Sequence, residues 1–384
     1  MIKDMWTFVS PRVIVFGDDA LTFLESEKPS KALIVTDETI MKLGFVNAVK
    51  NIIKAEKIEV FSEVEPEPSL ETVLKCAEVA RSLQPDLIVA VGGGSVMDVA
   101  KAARVLMEVD IDPIAITPFI DLSEYGYKKK AKLIAIPTTS GTGADATWAV
   151  VLTDKKENRK LTPANKELVP DVTILDYRLV ASMPKKLVSG TGFDALTHAI
   201  EGYVSIWRND FSDALCEKAI EIILENLEKS YSGDVEARAK MHIAATMAGL
   251  GFGNSQVGLA HSLGHSFGGI FKLHHGLCVG VFLPYVMQFY LKSDAKARMD
   301  SLARKVGLAD AEAFIEKIMA LMKSVEMPTR LSEIVTKKGF DENLERLVMN
   351  AMNDPSLGMS PRIPDVEQTR MIYEYAFEGK RIDF

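Results

Sequence analysis

Cysteine is scarce in this chain of 384 residues, and so is glutamine. The three cysteines, Cys76, Cys216 and Cys278, lie far apart and form no CxxC pair, so neither a disulfide framework nor a thiolate zinc site is predicted. Glutamine occurs at only four positions, a depletion that is also found in heat-adapted proteins. We expect reduced, buried thiols, and any metal site has to use oxygen and nitrogen ligands.

The chain also lacks an apolar run long enough to span a membrane. Its N-terminus, MIKDMWTFVSPR, has no apolar core of the kind that a signal peptide carries. The net charge is −8, whereas surfaces that bind nucleic acid or anionic membranes need clustered Lys and Arg. We therefore expect a cytoplasmic protein that binds neither nucleic acid nor membrane.

Apolar residues make up 47% of the chain, which is enough for two hydrophobic cores. In the first half, short β-branched runs alternate with segments of helical periodicity. The runs are RVIVF (12–16), ALIVTD (32–37), KIEVF (57–61), DLIVAV (86–91) and LIAIPT (133–138). Strands separated by helices predict a parallel sheet that is covered on both faces.

The strand signal disappears from about residue 182 onward, and long amphipathic segments take its place. These segments include SDALCEKAIEIILENLEKS and AEAFIEKIMALMKSV, whose apolar residues recur at helical spacing. We therefore predict an α/β N-terminal domain with a parallel sheet, residues 1–180, and an all-α C-terminal domain, residues 181–384.

A glycine-rich loop follows the predicted strand at 86–91. Its sequence, GGGSVMDVAK (92–101), places three glycines and Ser95 before a predicted helix. Glycines let backbone N–H groups approach a phosphate closely, and the helix directs its positive end to the same place. Ser95 and Asp98 also have the spacing of a helix capping box, which is a purely structural interpretation. The loop matches neither GxGxxG nor a Walker A sequence, so NTP hydrolysis is disfavoured.

A second loop, IPTTSGTGADAT (136–147), is rich in hydroxyl groups and follows another predicted strand. Small loops with many donors suit the phosphates and riboses of a dinucleotide, although such sequences also occur in ordinary loops. Ligands of open parallel sheets bind at the carboxyl ends of the strands. Two such loops together predict a dinucleotide site in the first domain.

Four of the six histidines lie in one glycine-rich, mostly apolar segment, GLAHSLGHSFGGIFKLHHG (258–276). Imidazole is unfavourable in apolar surroundings unless its ring nitrogens have partners. The four are His261, His265, His274 and His275.

A second segment, SGTGFDALTHAIEGY (189–203), offers a partner for these histidines. It places Asp194 and His198 one turn apart on the same face of a predicted helix. An aspartate with several histidines and no thiolate suits Fe(II) or Zn(II), and the absence of HExxH disfavours a zinc protease. The pattern alone leaves open which of the four histidines bind the metal.

Four motifs together resemble the iron-dependent (group III) alcohol dehydrogenases, a family that includes lactaldehyde reductase, 1,3-propanediol dehydrogenase and butanol dehydrogenase. The motifs are GGGSVMDVAK, PTTSGTG, GFDALTHAIEGYVS and GLAHSLGHSFGGIFKLHHG. The resemblance extends from ALIVTD to MPTRLSE and SPRIP, which is essentially the whole chain. It implies the architecture that this family shares with dehydroquinate synthase, in which an all-helical metal-binding domain follows a dinucleotide-binding domain.

The resemblance also implies which residues form the sites. The metal ligands of the family, an aspartate and three histidines, fall on Asp194, His198, His261 and His275. His265 matches a histidine near the nicotinamide, and we expect it to relay the hydroxyl proton. The dinucleotide contacts fall on Asp37, Gly93, Gly94, Ser95, Thr138, Thr139, Thr142 and Lys160.

Three positions depart from the family pattern. His274 stands where a proline often precedes the last metal histidine, and we place it outside the ligand set. Glu67 stands where many members have an asparagine, so a cofactor contact from that loop stays unassigned. The sequence TGAD replaces the commoner TGSE.

The implied activity is the reversible, NAD(P)-dependent oxidation of a small primary alcohol or diol to its aldehyde by a homodimer. The expected metal is Fe(2+), with Zn(2+) as the alternative in purified protein. We expect NAD to be preferred over NADP, because Asp37 would accept hydrogen bonds from the ribose and repel a 2′-phosphate. Two alternatives are an NAD-using lyase of the 3-dehydroquinate synthase type and a metal-binding relative without catalysis.

Overall fold

The structure, a computed structural model, describes residues 6–155 and 159–384, and the chain forms two compact units, Met1–Ser182 and Met183–Phe384. The first unit is built on a sheet of six parallel strands in the order β1-β8-β5-β4-β2-β3, with β6 and β7 forming a separate antiparallel pair. The strands are β1 (Val13–Gly17), β2 (Lys31–Val35), β3 (Lys57–Phe61), β4 (Leu87–Gly92), β5 (Lys132–Pro137), β6 (Leu152–Asp154), β7 (Arg159–Leu161) and β8 (Val172–Asp176).

Helices cover both faces of this sheet. They are α1 (Glu38–Lys42), α2 (Phe45–Ile52), α3 (Leu70–Leu83) and α4 (Gly94–Leu106). Successive side chains of a strand point to opposite faces, and in β4 Ile88 belongs to the core beneath α3 and α4, whereas Val89 belongs to the core beneath α2. The predicted parallel sheet with two covered faces is confirmed.

All five predicted strands are present, with ends shifted by at most two residues. The strand β8, which lies between β1 and β5, was not predicted. Its run VTILD has five residues and is followed by a short 3-10 turn. The β6–β7 pair was missed because each strand has only three residues.

The second unit is helical, and the structure assigns no strand to it within the described residues. Its helices are α5 (Lys185–Val204), α6 (Asp210–Ser232), α7 (Val235–Phe252), α8 (Leu259–Phe271), α9 (His275–Tyr290), α10 (Ala295–Lys305), α11 (Ala311–Ser324), α12 (Lys337–Met352) and α13 (Val366–Glu378). The helix α5 is buried from Val188 to its end, because α6, α7 and α9 pack around it. None of the described helices is both long and apolar enough to cross a membrane.

Candidate metal centre and dinucleotide loops

Three helices of the second unit bring the four predicted metal ligands together. Asp194 and His198 lie one turn apart on α5, His261 lies in the first turn of α8, and His275 is the first residue of α9. One side-chain atom from each of these residues lies within 4.8 Å of the corresponding atoms of the others. The cluster therefore joins an oxygen donor and three nitrogen donors that are distant in the sequence.

Polar atoms of Asp194, His198 and His275 face one another within this cluster. The Oδ1 atom of Asp194 is 3.4 Å from Nε2 of His275 and 3.8 Å from Nδ1 of His198. Among the described residues, Asp194 Oδ1 and His261 Nε2 are buried polar atoms without a hydrogen-bond partner. Buried polar atoms are normally paired, so this arrangement fits a cation that all four residues would bind.

The ionisation of the cluster points to the same conclusion. Burial raises the pKa of Asp194 to about 8, and the nearby His265 offsets only part of this effect. Desolvation, followed by the charges of neighbouring imidazoles, holds the pKa of His275 well below its usual value, although 36% of the side chain is exposed. Neutral imidazoles are the form that binds a metal, and a divalent ion would compensate the buried carboxylate.

Phe252, at the end of α7, forms an apolar wall beside the cluster. Its ring is stacked on that of His198, with the ring centroids 4.0 Å apart and the planes inclined by 10°. This contact limits rotation of the His198 ring and keeps one side of the site apolar.

His265 lies next to the cluster but not within the group of four. Its ring centroid is 5.2 Å from that of His275, and its Nδ1 atom is 2.8 Å from Oδ2 of Asp354. Burial would raise the pKa of Asp354, but the charge of His265 and hydrogen bonds from His265 and Ser356 lower it to about 2. Asp354 was not predicted as a site residue, because nothing in the sequence links positions 89 residues apart.

His274 occupies a different position from the other three histidines of its segment. It is exposed, it precedes the first residue of α9, and it is not part of the group of four. A Cβ atom added to Gly190 would lie 3.4 Å from its Nδ1 atom, so the ring rests against the backbone of α5.

Glu201 is a second site residue that the sequence analysis missed. Its carboxylate Oε2 lies 2.6 Å from Nδ1 of His261, and both side chains are 2% exposed. The available signal was spacing, since Glu201 follows His198 by three residues and therefore continues the face of α5 that carries Asp194.

In the first unit, the predicted dinucleotide loops follow the carboxyl ends of neighbouring strands. Gly93, Gly94 and Ser95 follow β4, while Thr138, Thr139 and Thr142 follow β5, the strand beside it. The loops are in contact, because a Cβ atom added to Gly94 would lie 2.9 Å from Cγ2 of Thr142. Only glycine therefore fits at position 94, where the N-terminus of α4 meets the threonine loop.

Lys160 reaches the glycine loop indirectly. Its Nζ atom donates a hydrogen bond to Oγ1 of Thr153 at 2.9 Å and forms an ion pair with Oε2 of Glu67 at 2.8 Å. The backbone N–H of Glu67 in turn donates to Oγ of Ser95 at 3.3 Å, and Glu67 has a φ of +55°. Glu67, which departs from the family pattern, thus contacts two predicted cofactor-binding residues, Lys160 and Ser95. Its backbone has a left-handed conformation.

The predicted capping box of Ser95 and Asp98 is wrong. Helix α4 begins at Gly94 without a side-chain cap. Ser95 accepts the hydrogen bond from Glu67, and Oδ2 of Asp98 accepts one from the N–H of Val151 at 2.9 Å. Both side chains therefore hold neighbouring loops in place rather than the first turn of their own helix.

Asp37 follows β2, which is the other neighbour of β4 in the sheet. Its Oδ1 atom accepts hydrogen bonds from the N–H groups of Thr39 and Ile40 at 2.8 and 3.0 Å, so it caps α1. Both bonds use the same oxygen. The cap therefore does not use Oδ2, and this oxygen could accept a hydrogen bond from a ribose hydroxyl.

Comparison with known proteins identifies both parts of the chain. The family model described as "Iron-containing alcohol dehydrogenase" matches residues 11–177, and the model described as "Fe-containing alcohol dehydrogenase family, C-terminal" matches residues 188–377. Together these two models account for most of the chain.

Individual relatives agree with the family models. The NADPH-dependent butanol dehydrogenase of Clostridium saccharobutylicum is 38% identical, over 99% of this chain and 100% of that protein. An iron-containing alcohol dehydrogenase structure from Thermococcus thioreducens has a TM-score of 0.89 and 34% identity, covering 98% of this chain and 100% of that one. The sulfoacetaldehyde reductase of Bifidobacterium kashiwanohense, solved with NAD+, has a TM-score of 0.85 and 27% identity, covering 97% of this chain and 99% of that one.

These relatives are named dehydrogenases or reductases, which does not favour the lyase alternative. The resemblance and the fold class that were predicted from the sequence motifs are confirmed. The chain belongs to the iron-containing alcohol dehydrogenase family and is an enzyme of that class.

Proposed function

We propose that this protein is a metal-dependent dehydrogenase that interconverts a small primary alcohol or diol and its aldehyde with NAD(H). The observation that carries the proposal is the cluster of Asp194, His198, His261 and His275, in which Asp194 Oδ1 and His261 Nε2 are buried and have no hydrogen-bond partner among the described residues. The name of the butanol dehydrogenase relative supports an alcohol of this size.

The four residues would bind Fe(II), with Zn(II) as the alternative in purified protein, because ligand affinity alone does not select iron. One carboxylate and three neutral imidazoles leave a divalent ion with net positive charge. When bound, such an ion supplies the Lewis acidity that favours ionisation of an alcohol hydroxyl or polarises an aldehyde carbonyl.

His265 is the proposed acid–base residue. Because Asp354 is a carboxylate, it favours the tautomer of His265 that carries its proton on Nδ1, and it stabilises the imidazolium. The Nε2 atom then accepts the hydroxyl proton during alcohol oxidation and returns it during aldehyde reduction. Phe252 contributes an apolar surface that suits the alkyl part of the substrate.

We propose that the loops after β2, β4 and β5 bind the dinucleotide. The N-terminus of α4, with Gly93, Gly94 and Ser95, suits the pyrophosphate, because a helix N-terminus presents backbone N–H groups and positive potential. The remaining proposed contacts are the ribose hydroxyls for Asp37 and the phosphates and riboses for Thr138, Thr139, Thr142 and Lys160. A carboxylate at position 37 favours NAD over NADP.

We also propose that the protein is a cytoplasmic homodimer, and the family resemblance supports the dimer. Sedimentation velocity of the purified protein measures the oligomeric state directly.

The test of the proposed reaction is NADH formation followed at 340 nm. Protein loaded with Fe(II) is supplied with NAD and with ethanol, propan-1-ol, butan-1-ol or propane-1,3-diol, and the Asp194→Ala variant serves as the control. We expect NADH to accumulate far beyond the enzyme concentration with at least one of these alcohols. A lyase would regenerate NAD in each cycle, and a protein without catalysis would form no NADH, so either outcome would rule out the proposal.

A further inference from the structure

Glu201 holds a buried carboxylate next to the proposed metal centre without being one of its ligands. It lies on α5 seven residues after Asp194 and three after His198, so all three side chains share one face of the helix. A carboxylate that is 2% exposed is unfavourable unless its oxygens accept several hydrogen bonds.

The N-terminus of α8 supplies these hydrogen bonds. The N–H of Gly258 donates to Oε2 at 3.0 Å, and the N–H of Ala260 donates to Oε1 at 2.6 Å. The third contact is Nδ1 of His261, 2.6 Å from Oε2. Glu201 thus anchors the first turn of α8 and the imidazole that this turn carries.

The direction of these hydrogen bonds determines the tautomer of His261. A carboxylate can only accept, so Nδ1 of His261 carries the proton and donates it to Glu201. The other nitrogen, Nε2, then presents its lone pair to the cluster, where it has no hydrogen-bond partner among the described residues. Carboxylates that bind the remote nitrogen of a metal-bound histidine orient the ring and raise its basicity.

We propose that Glu201 is the positioning residue that fixes the tautomer and ring plane of His261 and thereby sets the affinity of the metal centre. This inference rests on the proposed function, because it requires that His261 binds the metal. Space around the carboxylate is limited, since a Cβ atom added to Gly258 would lie 3.3 Å from Oε1 of Glu201. The side chain therefore cannot easily adopt a different arrangement.

The experiment measures Co(II) affinity of the metal-free protein by competition with a chelator. The Glu201→Gln variant keeps the size of the side chain, but its NH2 group must face an N–H donor of α8 or Nδ1 of His261. We expect the Co(II) dissociation constant to rise roughly 10- to 100-fold. Glu228→Gln, an exposed substitution on α6, is the matched control and should leave the constant unchanged.

A double-mutant cycle tests whether Glu201 affects metal affinity through His261 or through a general disruption of the site. In the His261→Ala background, we expect Glu201→Gln to change the dissociation constant by no more than about 2-fold, because the ring that it positions is gone. An equal loss in both backgrounds would overturn the proposal. If Glu201→Gln does not fold, Glu201→Asp takes its place, since the shorter side chain cannot reach all three donors.

The outcomes distinguish this proposal from the proposed function. If the wild-type protein binds no Co(II), the metal centre itself is disproved. If the wild-type protein binds Co(II) and Glu201→Gln binds it equally well, only the role of Glu201 is disproved.

Discussion

Burial makes the ionised form of Asp194 unfavourable unless a positive charge compensates it. Burial raises its pKa to about 8, while its Oδ1 atom faces the imidazoles of His198 and His275. Binding a cation converts this unfavourable burial into a favourable interaction, because the carboxylate then has an opposite charge beside it.

Substitution of His265 and of His274 tests whether these two histidines of the same segment have different roles, the first in proton transfer and the second outside the site. We expect His265→Ala to keep the metal but to lower kcat roughly 100-fold or more, since an acid–base group contributes about this much. His274→Ala should change neither quantity, because the residue is exposed and outside the cluster. Metal analysis together with kcat for both variants is the measurement. Loss of metal in His274→Ala would show that the ligand assignment is wrong by one residue.

Asp37 is the N-cap of α1 and the proposed ribose contact. Two substitutions distinguish these two roles. Asp37→Ser keeps an N-cap but removes the charge, whereas Asp37→Ala removes both. Two like charges 4 Å apart repel by roughly 4 kcal/mol at an effective dielectric near 20, before solvent relieves part of this. We expect both variants to lose the preference for NAD in kcat/KM, and only Asp37→Ala to lose about 1 kcal/mol of stability. An unchanged cofactor ratio in Asp37→Ser would leave the residue with a capping role alone.

The sequence predicted the residues of the cluster better than their partners. Asp194 and His198 share a helical face, and the family resemblance pointed to the same four residues that the structure brings together. Glu201 and Asp354 were missed because their roles depend on where helix α8 comes to lie. Local spacing carries no information about such tertiary contacts.

At the scale of elements, the cluster depends on the close approach of α5 and α9. A Cβ atom added to Gly276 would lie 2.3 Å from the carbonyl oxygen of Gly190 and 3.0 Å from Cβ of Asp194. These two helices therefore touch through their backbones, and His275 stands next to the point of contact.

Gly276→Ala tests this contact, with Gly269→Ala on α8 as the control. We expect Gly276→Ala to destabilise the protein by about 1–3 kcal/mol and to weaken metal binding, because α9 must move away from α5. No atom lies within 4 Å of a Cβ at Gly269, so that substitution should stabilise α8 by about 0.4–1 kcal/mol. Urea unfolding and Co(II) titration of both variants provide the data. Normal metal affinity in Gly276→Ala would contradict the proposed dependence on close packing.

At the level of strands, the sequence predicted β1 to β5 and missed β6, β7 and β8. β6 and β7 have only three residues each, whereas β8 has five residues, like β1, β2 and β3, and was overlooked. The capping box at Ser95 was wrong because the side chains of Ser95 and Asp98 bond to other loops. At Ser95 and Asp98, contacts distant in sequence therefore decided the local structure.

At the scale of the whole molecule, we assign a different part of the proposed chemistry to each unit. The first unit contains the loops proposed to bind the dinucleotide, and the second contains the proposed metal centre. The two family models match the two units separately, at residues 11–177 and 188–377. The proposed reaction requires both parts, so loss of either should abolish turnover while the other still binds its ligand.

The most direct test of the account is an anaerobic titration of metal-free protein with Fe(II) while NADH formation from butan-1-ol and NAD is followed. We predict that turnover rises in proportion to the bound iron and saturates at one ion per chain, because all four ligands belong to one cluster. The Asp194→Ala variant should neither retain the ion nor form NADH. Full turnover in protein that contains no metal would contradict the central claim.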